Sequence, residues 1–137
     1  MFESSIVKLL RADNMLVSKL STYNSMPTIF SNQAPEGTQF PCIVFYIHRT
    51  QSDDACLDGF VLMVDYYSYG VSDVNANIAV ERIEFLLDRA HLEHDRYDTI
   101  RVFFFSGTTV PDPDPRMYHY NLQFNARAGR KKWMQQL

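Results

Sequence analysis

Apolar residues recur along the chain at two different spacings, and the switches between them mark the elements. Ile6, Leu9, Leu10, Leu16, Val17 and Leu20 repeat at helical intervals, so an amphipathic helix is expected over residues 3–20. Glu3 suits its first turn and Lys19 its last. Asp13-Asn14 interrupt the apolar stripe and mark where the helix would break. Residues 21–27 read as a turn and residues 28–30 as a short strand. Residues 31–41, SNQAPEGTQFP, read as a loop punctuated by Pro35, Gly37 and Pro41. Residues 42–48 are a nearly continuous run of strand formers, expected of a strand buried on both faces. Residues 51–59, with Asp53, Asp54, Asp58 and Gly59, read as a polar hairpin connection. Residues 60–68 form a second apolar strand that Gly70 ends.

Ser72 or Asp73 suits the N-cap of the next helix. Its apolar face would use Val74, Ile78, Ile83, Leu86 and Leu87, with Arg82, Glu84, Asp88 and Arg89 mostly opposite, and it would end within residues 90–93. Residues 99–106 form a third strand containing Phe103, Phe104 and Phe105. GTTVPDPDP, residues 107–115, reads as a stiff extended loop because proline constrains both itself and its predecessor. The last strand has the clearest pattern. Tyr118, Tyr120, Leu122, Phe124 and Ala126 alternate with His119, Asn121, Gln123, Asn125 and Arg127, the period of two of a half-buried strand.

The order is helix, short strand, two strands, helix, two strands. Both helices must bury their stripes, and one sheet face suffices for this. The expected fold is α+β, with a mixed, mainly antiparallel sheet of four to five strands and two helices packed on one face. Residues 1–137 are expected to form a single domain.

Composition narrows the function. A net charge of -3 argues against a general nucleic-acid binder, which needs a basic face to displace counterions. Local basic character is confined to Arg127, Arg130, Lys131 and Lys132, read as a solvated tail. Cys42 and Cys56 fit no CxxC or zinc spacing. The two could face each other across a hairpin, but they are read as free thiols in a reducing compartment. The first residues show neither a basic leader nor a long apolar core, and no stretch reaches membrane-spanning length. Synthesis and use in the cytoplasm, without membrane contact, are expected.

Catalytic signatures are missing. There is no P-loop, dinucleotide fingerprint, GxSxG or HExxH. His91-Leu92-Glu93-His94 places two histidines near the expected end of a helix, with no further ligands nominated. Asp53, Asp54 and Asp58 do not match a calcium loop. Asp112 and Asp114, spaced by proline, are either ordinary turn residues or an exposed acidic loop facing a partner or channel. Asp65 lies in an otherwise apolar strand, so it must sit at an edge, at an opening, or paired. Tyr66, Tyr67, Tyr69, Tyr118 and Tyr120 bias the sheet toward tyrosine, which suits surfaces buried on association as well as an amphipathic sheet. Asp65, Tyr66, Tyr67, Tyr69, Asp112, Asp114, Tyr118 and Tyr120 are therefore the candidate interface residues. No cofactor or metal is expected, and no enzyme.

Three segments resemble the phage tail-completion family. They are Ala34-Pro35 with Phe40-Pro41-Cys42-Ile43-Val44-Phe45-Tyr46, then Val61-Leu62-Met63-Val64-Asp65-Tyr66-Tyr67-Ser68 with the helix that follows, and the acidic loop running into the last strand. The resemblance implies a virion protein of the tail neck, assembled in the host cytoplasm. It implies a ring, usually a hexamer, that caps the tail-tube protein, stops its growth and presents a surface to a head-completion or connector protein. DNA would pass through without specific binding, and there are no family catalytic residues. The alternatives are a head-closure or connector neck protein, and a small enzyme or small-molecule binder built on Asp65, a histidine and a tyrosine-lined pocket.

Overall fold

The computed structural model describes residues 2–52, 57–70 and 73–131. In chain order these hold α1 (Glu3–Arg11), α2 (Asn14–Val17), β1 (Thr22–Tyr23), β2 (Met26–Pro27), β3 (Ile29–Ser31), β4 (Cys42–Ser52), β5 (Leu57–Tyr69), α3 (Asp73–Leu87), β6 (His91–His94), β7 (Tyr97–Thr109) and β8 (Met117–Arg130). The fold is α+β. Six strands form one sheet in the order β3-β4-β5-β8-β7-β6, and β1-β2 form a separate two-stranded sheet. Within the large sheet only β3–β4 is parallel.

The large sheet thus exceeds the expected four to five strands, because residues 91–94 are a strand rather than the end of a helix. α3 stops at Leu87, and Arg89 turns the chain with a φ of 62°. The chain is then tied to β7. The Arg89 N–H donates to the Val102 carbonyl at 2.6 Å, and the Val102 N–H donates to the Ala90 carbonyl at 3.1 Å. The Asp88 carboxylate accepts the Phe104 N–H at 2.8 Å. His91 and His94 therefore lie on β6 and do not complement a helix dipole.

The expected first helix is two. Asp13 has extended backbone, and its Oδ1 accepts the N–H groups of Met15 (2.9 Å) and Leu16 (3.4 Å), capping α2. Its Oδ2 receives Arg82 Nε of α3 at 2.8 Å, and Arg82 Nη2 binds the same oxygen. One short acid thus starts a helix and fastens it to the next. Burial pushes the Asp13 carboxyl up, but Arg82 and the two N–H groups outweigh it and hold it below 3.8. The sign follows: this stabilisation is present above pH 3.8 and is lost as pH falls through the lower folded-state value. Asp13→Ala is expected to cost about 1–3 kcal/mol at pH 7. Urea titrations should show the gap from the parent protein closing below pH 3.8. A gap constant from pH 7 to pH 2 would show that the carboxylate is not its source.

Side chains of β5 alternate strictly. Phe60, Leu62, Val64 and Tyr66 point to the helix side, joined by Ile43 and Phe45 of β4, Ile100 and Val102 of β7, and Leu122, Phe124, Ala126 and Ala128 of β8. Phe2, Ile6, Leu10 and Leu16 cover them from the first two helices. α3 contributes Ala76, Ala79, Ile83 and Leu87 as its buried stripe, while Val74 is 70% exposed. Ile83 and Leu87 of the expected apolar stripe are buried, Ile78 and Leu86 are half-buried, and Ala76 and Ala79 take the place of Val74. β4 is also not buried on both faces, for Tyr46 and His48 are exposed on the side away from the helices. Gly107 to Thr109 belong to β7, not to the loop. Gly107 leaves room there for the Tyr120 ring, whose hydroxyl would lie 2.8 Å from an added Cβ and would have to shift.

Candidate functional site

The helices cover one face of the large sheet. The other face carries the odd-numbered positions of β5 and β8 and the residues opposite them. At its centre is Asp65, paired in register with Val44 of β4 and Asn121 of β8. Asp65 is 8% exposed. It is neither at an edge nor at an opening; it is partnered. Its Oδ1 accepts Asn121 Nδ2 at 2.7 Å and lies 2.9 Å from His119 Nε2. The His119 ring in turn stacks on Tyr67, with centroids 4.2 Å apart and planes 23° apart. The cross-strand register explains the cluster, because Tyr67 stands opposite His119 and Asp65 opposite Asn121.

A histidine beside a carboxylate is also the beginning of a nucleophile-activating array, so its neighbours matter. Among the described residues no hydroxyl or thiol hydrogen-bonds His119. Burial pushes the Cys42 thiol up to about 11, which keeps it protonated and a poor nucleophile at neutral pH. Burial, reinforced by the Asp65 charge, also raises the phenols of Tyr46 and Tyr67, so both remain hydrogen-bond donors. The arrangement satisfies and orients polar groups in the middle of an open sheet face. Cys56, Asp53, Asp54, Ser72 and Lys132 lie outside the described residues.

The other nominated residues divide between two places. Tyr66 is fully buried on the helix side, edge-on to Tyr118 at 6.3 Å. It is a core residue, and this corrects its nomination as an interface residue. Tyr118 and Tyr120 lie half-buried on the same side, stacked on each other at 6.4 Å. Tyr69, Asp112 and Asp114 gather at one end of the sheet. Tyr69 stacks on Phe40 at 6.3 Å, with the Arg116 guanidinium 5.1 Å from its ring centre. Asp112 Oδ1 accepts the Asp114 N–H at 2.9 Å, and Asp114 Oδ1 accepts the Arg116 N–H at 3.0 Å. The proline-spaced loop is thus built from two successive side-chain turns. The Arg116 N–H, chiefly, holds the Asp114 carboxyl below 3.8. Among the described residues no cluster of three or more potential ligands could hold a metal ion.

Other residues of interest were not nominated from the sequence. Asp58, read as a turn residue, is a buried member of β5. It accepts the Tyr97 hydroxyl at 2.9 Å and Arg49 Nη2 at 3.1 Å, with Arg130 Nε at 3.9 Å. Beside it a cleft of about 450 Å3 opens between Phe103, Asn125 and Arg127. Tyr46, Phe103 and Phe105 are 38%, 39% and 61% exposed on the sheet, and Phe85 is 70% exposed on α3. Only the Phe103-Phe104-Phe105 run carried a signal in sequence, since one of three consecutive strand residues must face away from the others.

One face of the sheet is packed with helices and the other is left open with exposed aromatics, which leaves surface available for association. Residues 4–129 match the model of the family described as tail completion protein gp17, and the chain belongs to that family. It is a phage tail-completion structural protein, located in the virion and assembling with other virion components. A chain in the solved virion of a native gene transfer agent particle has the same fold. The TM-score is 0.68 at 19% identity, over 93% of each chain. A second solved chain aligns with a TM-score of 0.62 at 10% identity, over 95% of this chain and 92% of its own. No curated protein matches by sequence. No helix among the described residues is long and apolar enough to cross a membrane.

Proposed function

We propose that this protein is a tail terminator without enzymatic activity of its own. Copies form a ring, a hexamer by family resemblance, on the end of the tail tube. The ring ends polymerisation of the tail-tube protein and offers its far side to a head-completion or connector protein. One observation carries the reading. The molecule exposes large aromatics on two unlike surfaces, Tyr46 and Phe103 on the open sheet face and Phe85 on the helix layer, with Phe105 exposed at the β7 bulge. Exposed apolar patches of this kind mark association sites. Two unlike patches suit a head-to-tail contact, which closes into a ring when its rotation allows.

Two further features support it. A net charge of -3 and an exposed acidic loop at Asp112 and Asp114 suit a channel through which DNA slides without being gripped. The related fold in the gene transfer agent belongs to a chain of an assembled virion. The test is electron microscopy of particles made without this protein. Unattached tails of abnormal length beside filled heads are expected. Joined particles with normal tails would overturn the reading. Normal-length free tails beside emptied heads would assign the chain to head closure instead.

A further inference from the structure

We infer that the contact between neighbouring copies joins the α3 surface of one to the β7–β8 end of the open sheet face of the next. Glu81, Glu84 and Phe85 would meet Arg101, Arg127 and Phe103. This rests on the ring reading above and specifies its interface.

The sheet side carries an unresolved charge. β7–β8 register places Arg101 directly opposite Arg127, and both are exposed. Like charges facing across a strand pair are unfavourable. Neither guanidinium forms a salt bridge among the described residues. The Arg101 guanidinium lies 5.5 Å from the Phe103 ring centre. Phe103 and Arg127 also line the cleft of about 450 Å3. Asp58 also lines the cleft, but its carboxylate is held by Tyr97 and Arg49 with Arg130 nearby, so among the described residues the aromatic floor carries two cations with no salt bridge of their own.

The helix side is its complement. Glu81 and Glu84 are exposed on α3, beside Phe85. With Asp88 and Arg89 they line a shallow groove of about 320 Å3. Arg82 is committed to Asp13 and sits 4.7 Å from the Phe85 ring centre, so among the described residues lining the groove Arg89 is the one cation against three carboxylates. The surface is therefore acidic around an exposed aromatic.

These patches lie on opposite faces of the same part of the sheet, because α3 packs on the inner side of β7 and β8. A two-fold dimer through either patch would set like charge against like. A head-to-tail contact pairs opposite charges and repeats from copy to copy.

The test uses two variants of exposed residues, Arg101→Glu with Arg127→Glu, and Glu81→Arg with Glu84→Arg. Unchanged circular dichroism would confirm that both fold. Assembly is read by native mass spectrometry at a concentration where the parent protein oligomerises, and by capping of purified tail tubes. Each variant alone is expected to lose affinity by about tenfold or more. An equimolar mixture is expected to regain it, since every contact then joins opposite charges. Parent-like rings from either variant alone, or no recovery on mixing, overturn this interface while leaving the ring reading intact. A parent protein that remains a single copy even on tail tubes removes the ring reading, and this contact with it.

Discussion

Phe60→Ala is expected to lower the unfolding free energy by about 3–5 kcal/mol, which corresponds to a melting temperature lower by roughly 10–20 °C. Phe60 is 1% exposed on β5, the third strand of the six-stranded order. Its ring meets Phe2 edge-on at 5.2 Å and Tyr97 edge-on at 6.0 Å. These two neighbours arrive from distant parts of the chain, and each is held in the core by its own element, so the space that alanine leaves is expected to stay unfilled. The loss combines the transfer free energy of the ring with the cost of the cavity. A domain of ordinary stability has only about 5–15 kcal/mol in hand, so the variant should be marginal at body temperature. Urea unfolding with an unchanged slope would measure the loss directly. A shift below about 1 kcal/mol would mean that Phe2 or Tyr97 swings into the gap.

Asp58→Ala is expected to cost about 2–4 kcal/mol, by a different mechanism. Asp58 is 2% exposed and takes the Tyr97 hydroxyl and Arg49. Alanine leaves that hydroxyl buried without its acceptor and removes the anion shared by Arg49 and the nearby Arg130. The figure stays below that for a fully enclosed pair because the Arg49 side chain is 49% exposed. Asp58→Asn keeps an acceptor for Tyr97 and should lose less than Asp58→Ala. Equal losses would assign the effect to charge alone. Phe60 and Asp58 share Tyr97, one through its ring and the other through its hydroxyl. The double variant should therefore lose less than the sum of the two.

How much of this was legible in the sequence depended on whether the signal was local. β8 could be read because its alternation is carried by consecutive residues, and the buried Leu122, Phe124 and Ala126 follow it. Asp13 announced the helix break because a capping acid acts on N–H groups two and three residues later. β6 was lost because four residues with only Leu92 buried have no period to display. The first turns of the α3 face were misread because Ala76 and Ala79 give weak hydrophobic signals yet are buried, whereas Ile83 and Leu87 were legible. The partners of Asp65 were illegible for a different reason. His119 and Asn121 are more than fifty residues away, and only the β5–β8 register brings them together. Asp58 looked like a turn residue because the composition around it is polar, whereas the strand begins one residue earlier, at Leu57.

The register has a kinetic side as well. β4–β5 and β7–β8 are antiparallel pairs of neighbouring large-sheet strands, each with a short connection. β5 and β8 are different, for their partners stand between 48 (Tyr69 to Met117) and 72 (Leu57 to Gly129) residues apart. Closing that ladder requires the whole of α3 and β7 to be gathered in, a slow step typical of non-local sheets, on the order of milliseconds to seconds. Until it closes, β5 and β8 each present a long unpaired edge, where another chain can pair in error. The interval between making two hairpins and joining them is thus when a newly synthesised copy is most exposed to aggregation, before it reaches any tail.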